Sequence, residues 1–173
     1  MKTSACWAFT MATVLAASAC RAGPSPSSGE SSERDSLVGV WRSQIRVNGG
    51  ALADMKDLEF MYAFNAGGTM TESSNYDGAP PVPPAYGVWR RSGPRRFEAK
   101  YAFFITKAPG TFEDIAKGGG WSPAGRGVLT ETITLSHDGR SYRSTIVYAA
   151  FDQVGKPVEG GGEGNGVGAR MGF

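Results

Sequence analysis

Beyond position 20 the chain contains no cysteine; its two are Cys6 and Cys20. The region after Cys20 therefore forms no internal disulfide, offers no thiolate to a metal and has no cysteine nucleophile. Histidine is nearly as scarce, with His137 alone. Without a second one, zinc and similar metals lack their usual ligand set, so no metal and no cofactor is expected. A Ser-His-Asp triad would have to be built around that one residue, and no Gly-x-Ser-x-Gly elbow is present. Long apolar runs are also missing. The one apolar stretch, Trp7 to Ala17, is about 11 residues, and a helix needs about 20 to span a bilayer. Charge of one sign is lacking too. The net charge is +2, and from Ser36 onward 15 Lys plus Arg stand against 13 Asp plus Glu. A balance this close to neutral gives no electrostatic case for nucleic acid.

What is present at the start is an address. Lys2 precedes the apolar stretch, and Ala17-Ser18-Ala19-Cys20 follows it, the layout of a cleaved secretory signal over residues 1–19. The small residues before Cys20 resemble a bacterial lipobox. That resemblance implies lipidation of Cys20 and attachment to the cell envelope through the lipid. Arg21 after the cysteine, rather than Asp, points to the outer membrane in a Gram-negative host. Residues 21–36 are Ser, Pro, Gly and charge with no large apolar side chain. Such a segment buries too little surface to offset its ordering entropy and reads as a flexible tether.

The rest, 37–173, is cut at short intervals by turn residues. Strand-like runs cover 37–47, 58–65, 68–76, 84–92, 95–106, 127–137, 140–151 and 164–172, separated by signals such as Asn48-Gly49-Gly50, Ser92-Gly93-Pro94 and Asp138-Gly139. Several alternate as half-buried strands do. Trp41, Ser43, Ile45 and Val47 oppose Arg42, Gln44 and Arg46. Phe97, Ala99, Tyr101, Phe103 and Ile105 oppose Glu98 and Lys100. Leu129, Glu131, Ile133 and Leu135 oppose Thr130, Thr132 and Thr134. No amphipathic helix of three turns is found; the best short candidate runs from Gly110 to Lys117 with Thr111 as its cap. Pro80 to Pro84 reads as an extended lead into the fourth strand. Eight strands with short connections predict an all-β domain, an eight-stranded antiparallel up-and-down β-barrel, since closure removes exposed edges. A sandwich is the alternative, and the short connections argue against it.

Gly39-Val40-Trp41 in the first strand and Arg170 in the last resemble the calycin superfamily of lipocalins, fatty-acid-binding proteins and avidins. There a Gly-x-Trp packs beneath a basic side chain and seals one barrel end. The likeness spans most of 37–173 and assigns Trp41 and Arg170 to barrel closure. It also implies a lumen for a small apolar or amphiphilic molecule. The Thr-Asp-Tyr motif and disulfide of lipocalins are missing, and Gly87-Val88-Trp89 is a second Gly-x-Trp. The run from Tyr86 to Phe97 resembles a signature of uncharacterised exported bacterial proteins.

Among candidate functional residues, alternation turns Glu131 inward, where a carboxylate needs a reason to be buried. It would orient a polar ligand group or act as a general acid or base, unless a bulge or a cross-strand Arg disposes of it. Tyr62, Tyr101 and Tyr148 lie on three strands; converging in the lumen they would contact a flat, mostly apolar ligand, and plain core packing is the alternative. Phe60, Phe97 and Phe103 read as packing. Glu72 shares a face with Met70 and Ser74, and its polar surroundings predict exposure. His137 belongs to a surface turn. Arg90, Arg91, Arg95 and Arg96 keep a hairpin tip soluble. The run 160–166 follows no strand-to-helix pattern, so it is no phosphate loop and reads as a flap or wide loop. These readings predict an exported lipoprotein whose barrel binds a small hydrophobic or amphiphilic molecule through Tyr62, Tyr101, Glu131 and Tyr148. The loops after residues 48, 107 and 155 would form its rim. Two alternatives stand beside it: a barrel cyclase or isomerase of the allene oxide cyclase or dirigent type using Glu131, and an interaction lipoprotein with a filled lumen.

Overall fold

The computed structural model describes residues 34–49, 53–76 and 83–172. The signal segment, Cys20 and Pro80 to Val82 lie outside the described residues. Eight antiparallel strands close into a barrel in sequence order. They are β1 (Gly39–Val47), β2 (Leu58–Phe64), β3 (Thr69–Ser74), β4 (Ala85–Gly93), β5 (Arg96–Lys107), β6 (Ser122–Leu135), β7 (Ser141–Phe151) and β8 (Pro157–Arg170). The closing pair is β1 with β8, in which Trp41 stands opposite Arg170 and Ile45 opposite Gly166. This is the architecture that the calycin resemblance implies.

Period-two patterning accounts for the strands. On β1, Trp41, Ser43 and Ile45 are buried while Arg42, Gln44 and Arg46 are exposed. On β6, Leu129, Glu131, Ile133 and Leu135 are buried while the threonines between them face water. A one-residue slip would turn each inner set outward, so the pattern fixes register as well as strand identity. The β5–β6 connection carries one short helix, α1 (Phe112–Ala116), none of it buried. Thr111 caps it reciprocally: its hydroxyl accepts from the Asp114 N–H at 3.2 Å, and its own N–H donates to the Asp114 carboxylate at 3.0 Å.

Two strands run longer than their composition predicts. β6 starts at Ser122 rather than 127, and β8 starts at Pro157 rather than 164. Glycine weakens a free strand, but β8 pairs with β7 from Pro157 onward and with β1 as well from Gly164. Barrel closure overrides the local preference. Gly162 to Gly166 is thus ladder, while Gly160 and Gly161 fall in the irregularity between the Tyr148–Gly162 and Ala150–Val158 pairs. Every second residue of this ladder turns inward, and those residues are Gly164, Gly166 and Gly168, all buried.

One end of the barrel is sealed. The Arg170 guanidinium lies 4.3 Å from the Trp41 ring centroid, a contact typically worth about 0.5–2 kcal/mol. Its three nitrogens donate to the carbonyls of Gly139 at 2.9 Å, Val38 at 2.6 Å and Ser36 at 2.5 Å. Trp41 is fully buried, and its indole N–H donates to the Leu37 carbonyl at 2.9 Å. Gly39 makes room for this plug. Its φ is +135°, a region L side chains avoid, and a Cβ there would stand 2.8 Å from Arg170 Nη1. Asp35 and Ser36, the last residues of the compositional tether, are part of this end. The Asp35 carbonyl accepts from Arg91 and the Ser36 carbonyl from Arg170.

Candidate functional site

Because strands alternate direction, the β1–β2, β3–β4, β5–β6 and β7–β8 connections all gather at the end opposite the plug. A cavity of about 360 Å³ opens there. Its walls are mainly apolar: Ile45, Phe60, Phe103, Leu129, Ile146 and Tyr148. Phe103 and Tyr148 stack with centroids 6.1 Å apart and planes 12° from parallel. Gly127 on the strand between them permits this, since a Cβ there would approach Phe103 Cζ to 2.4 Å and Tyr148 Cε2 to 2.8 Å. One wall has almost no side chain: Gly160, Gly161, Gly162 and Gly164 of β8 line it. The glycine ladder is therefore one reason the lumen stays open at this end.

Glu72 lines the same cavity. Sequence patterning predicts it exposed; the structure leaves only 6 % of it accessible, and its Oε1 has no hydrogen-bond partner. On β3 it faces Tyr62 of β2 and Ala85 of β4 across the two ladders. Burial pushes its carboxyl up to about 8, and the Glu131 carboxylate across the lumen raises it further toward that value. Its signal in the sequence was the period-two sequence Met70, Glu72, Ser74. Met70 is buried at 2 % exposure, so the face was inward.

Below the cavity floor sits a polar cluster in the middle of the barrel. Glu131 is fully buried. The β6–β7 ladder passes through it without a register shift, so no bulge turns it to solvent, and among the described residues no arginine is seen to pair with it. Tyr101 donates to Glu131 Oε2 at 3.1 Å, and the Tyr62 and Tyr101 hydroxyls lie 3.1 Å apart. Ser43 Oγ and the Tyr142 hydroxyl are 2.5 Å apart. Glu131 Oε1 and Ser144 Oγ remain without partners. Burial raises the Glu131 carboxyl above the ordinary range. The hydroxyls of Ser144, Tyr101 and Tyr62 pull it partly back, Ser144 from outside hydrogen-bond geometry. Burial first, then Glu131, holds the Tyr62 and Tyr101 phenols well above the usual tyrosine range. Gly166 makes space for this cluster: a Cβ there would meet Ser144 Oγ at 2.5 Å and Ile45 Cδ1 at 3.3 Å.

Of the residues singled out from sequence, Tyr62, Tyr101 and Glu131 thus come together as one buried network beneath the cavity. Tyr148 stands on the cavity wall itself, with burial raising its phenol. Sequence reasoning missed Glu72, Ser43, Ser144 and Tyr142, and it read Phe60 and Phe103 as packing although both line the cavity. His137 is exposed on the β6–β7 turn beside Arg95. Arg90 pairs with Glu98 at 2.6 Å, and Arg91 stacks over Phe97. Among the described residues no group of three or more His, Cys, Asp or Glu is placed to hold a metal ion, and no helix is long and apolar enough to cross a membrane. A scan against protein-family models finds no match, and a search of curated proteins finds no relative.

Proposed function

We propose that the barrel is a binding protein for a small, mainly apolar molecule with one polar end, held in the cavity opposite the Trp41–Arg170 plug. A single observation carries this reading: about 360 Å³ of space with apolar and aromatic walls and a buried carboxyl, Glu72, at its edge. Small-molecule sites are commonly of this size and makeup, with few polar groups fixing orientation. Tyr148 and Glu72 are the polar contacts of the proposed site. Tyr62, Tyr101 and Glu131 support it from below as a packed network. The closed end contributes rigidity rather than contact.

We also propose that the chain is an exported lipoprotein belonging to a family of such barrels, with Cys20 lipidated and residues 21–33 leading from the membrane to the domain. When the full chain is expressed in its own host, it is expected in the detergent-extracted membrane fraction. A Cys20→Ser form is expected in the soluble exported fraction. Equal partitioning of the two forms would refute the anchor.

Native mass spectrometry of the protein purified from that host tests the binding role. The expected result is a retained molecule of low mass, released on denaturation, that raises the melting temperature when added back. No retained molecule, together with no thermal shift across a panel of lipids and metabolites, would sink the reading. A second reading, a lumenal acid catalyst, is favoured by one feature: Glu72 titrates near 8 at the edge of an apolar cavity, close to neutral working pH. A molecule recovered chemically altered after incubation with the protein would decide for that second reading.

A further inference from the structure

The cavity has a sign. Among the described residues that line it there is no Lys, Arg or His. Arg170 lies at the opposite end, donating to three carbonyls. Among the described residues, the ionisable groups that couple to Glu72 or line the same cavity are phenols and carboxyls only: Tyr62 opposite on β2, Tyr76 just after β3, Tyr101 on β5, Glu131 on β6, Tyr148 on β7 and Glu163 at the mouth on β8. An anionic head group such as a carboxylate or phosphate would enter this space with no counter-charge and two carboxyls nearby, an arrangement that strongly disfavours it. Glu72 Oε1 points the other way. It has no hydrogen-bond partner, on a residue 6 % exposed at the edge of an apolar chamber, and once ionised it would accept from a cationic donor.

Resting on the cavity reading above, we infer that the occupant is a small cationic amphiphile, a primary amine of about a dozen non-hydrogen atoms whose ammonium group donates to Glu72. The size follows from about 360 Å³ at roughly 30 Å³ for each water-sized group. The tail lies against Ile146 and the rings of Phe60, Phe103 and Tyr148, and those ring faces also tolerate a nearby cation. An arriving ammonium stabilises the ionised form of Glu72, so its proton leaves as the amine binds. Atoms balance simply: the carboxyl loses H⁺ to solvent, and the ammonium keeps all its hydrogens and donates one into a charge-assisted bond. Because the free site holds that proton up to about pH 8, affinity for an amine rises with pH from 6 to 8 and then levels off. A neutral alcohol shows no such rise.

Calorimetric titration tests this with octylamine, octanol and octanoate. The protein is the full-length chain carrying Cys20→Ser, so that no attached lipid competes. At pH 8 octylamine is expected to bind at least about tenfold more tightly than octanol, as a charge-assisted bond implies, and octanoate weakest of the three. Near pH 7, runs in buffers of different ionisation enthalpy are expected to report release of about one proton per amine bound. Glu72→Gln is expected to abolish that proton release and reduce octylamine to the affinity of octanol, while Glu163→Gln, which removes a charge at the mouth, weakens the amine modestly but keeps the proton release. Octanol or octanoate binding as tightly as the amine would overturn the inference while keeping the cavity reading. Proton release that persists in Glu72→Gln, or vanishes in Glu163→Gln, would overturn it too. If none of the three binds, the cavity reading falls, and this inference falls with it.

Discussion

At pH 9, Glu72→Gln is expected to be more stable than the parent protein by about 4–5 kcal/mol, and at pH 5 nearly equal to it. The sign follows from the raised carboxyl. The native state holds the Glu72 proton up to about pH 8, against an ordinary value of 4.5. Between those values the folded protein binds more protons than the unfolded chain, so stability falls as pH rises. The contribution is fully present below about 4.5 and lost as pH climbs through about 8. At about 1.4 kcal/mol per pH unit the window amounts to about 5 kcal/mol, a large share of a small domain's total. Glutamine keeps the shape and never ionises, so the slope should flatten. Glu131 acts in the same direction, since burial raises it too. Asp138 acts the opposite way, but only in acid. Its carboxyl is held down by the Ser136 hydroxyl, and its contribution is lost as pH falls through that lowered value. Urea midpoints at pH 5, 7 and 9 for both proteins provide the check. A parent protein that is firmest at pH 9 would show that Glu72 is ionised and partnered in the native state.

The second large effect should come from adding a single methyl group. Gly168→Ala is expected to destabilise the barrel by about 3 kcal/mol or more, whereas Gly162→Ala, on the same face of the same strand, should change stability little. A Cβ at Gly168 would stand 2.3 Å from Tyr142 Cε1 and 2.7 Å from Ser43 Oγ. Neither neighbour can retreat. Tyr142 is 1 % exposed, packs on Trp41 at 5.1 Å between centroids, and shares a 2.5 Å hydrogen bond with Ser43. Overpacking a filled core typically costs about 1–3 kcal/mol and sometimes more, and contacts with two fully buried, mutually bonded side chains place this site at the upper end. At Gly162 the nearest atom to a new Cβ is the Gly49 carbonyl oxygen at 3.4 Å, an ordinary contact at the edge of the cavity. Neither glycine has a positive φ. The contrast therefore separates steric demand from backbone conformation. Thermal midpoints of the two single variants measure it directly; equal loss at both positions would mean that β8 requires glycine for its backbone.

Much of the barrel was legible in the chain because period-two alternation is written residue by residue. Trp41, Ser43 and Ile45 on β1, and Leu129 to Leu135 on β6, gave strand identity, inner face and register together. Turn residues marked most hairpins, and the Thr111 cap marked α1. The eighth strand was harder to read. Its inner face is glycine, which has no hydrophobic signal, and only its pairing with β1 and β7 makes it a strand. Glu72 was misread for a related reason. On β3 the residues around it, Thr71, Ser73 and Ser74, are polar, so its burial depends on strands far away in sequence.

The sequence by itself determined the all-β class, the eight staves and the inward turn of Glu131, because each follows from local spacing of apolar side chains. The pairing of Trp41 with Arg170 was an expectation from the calycin resemblance, and the closed strands bring the two together. Only the tertiary structure decided which end stays open and which residues reach the space inside. That depends on volume: the rings of Trp41 and Tyr142 and the Arg170 guanidinium crowd one end, while a row of glycines leaves space at the other. It also decided that two carboxyls from separate strands are buried in one interior, and that burial, more than their proximity, raises both.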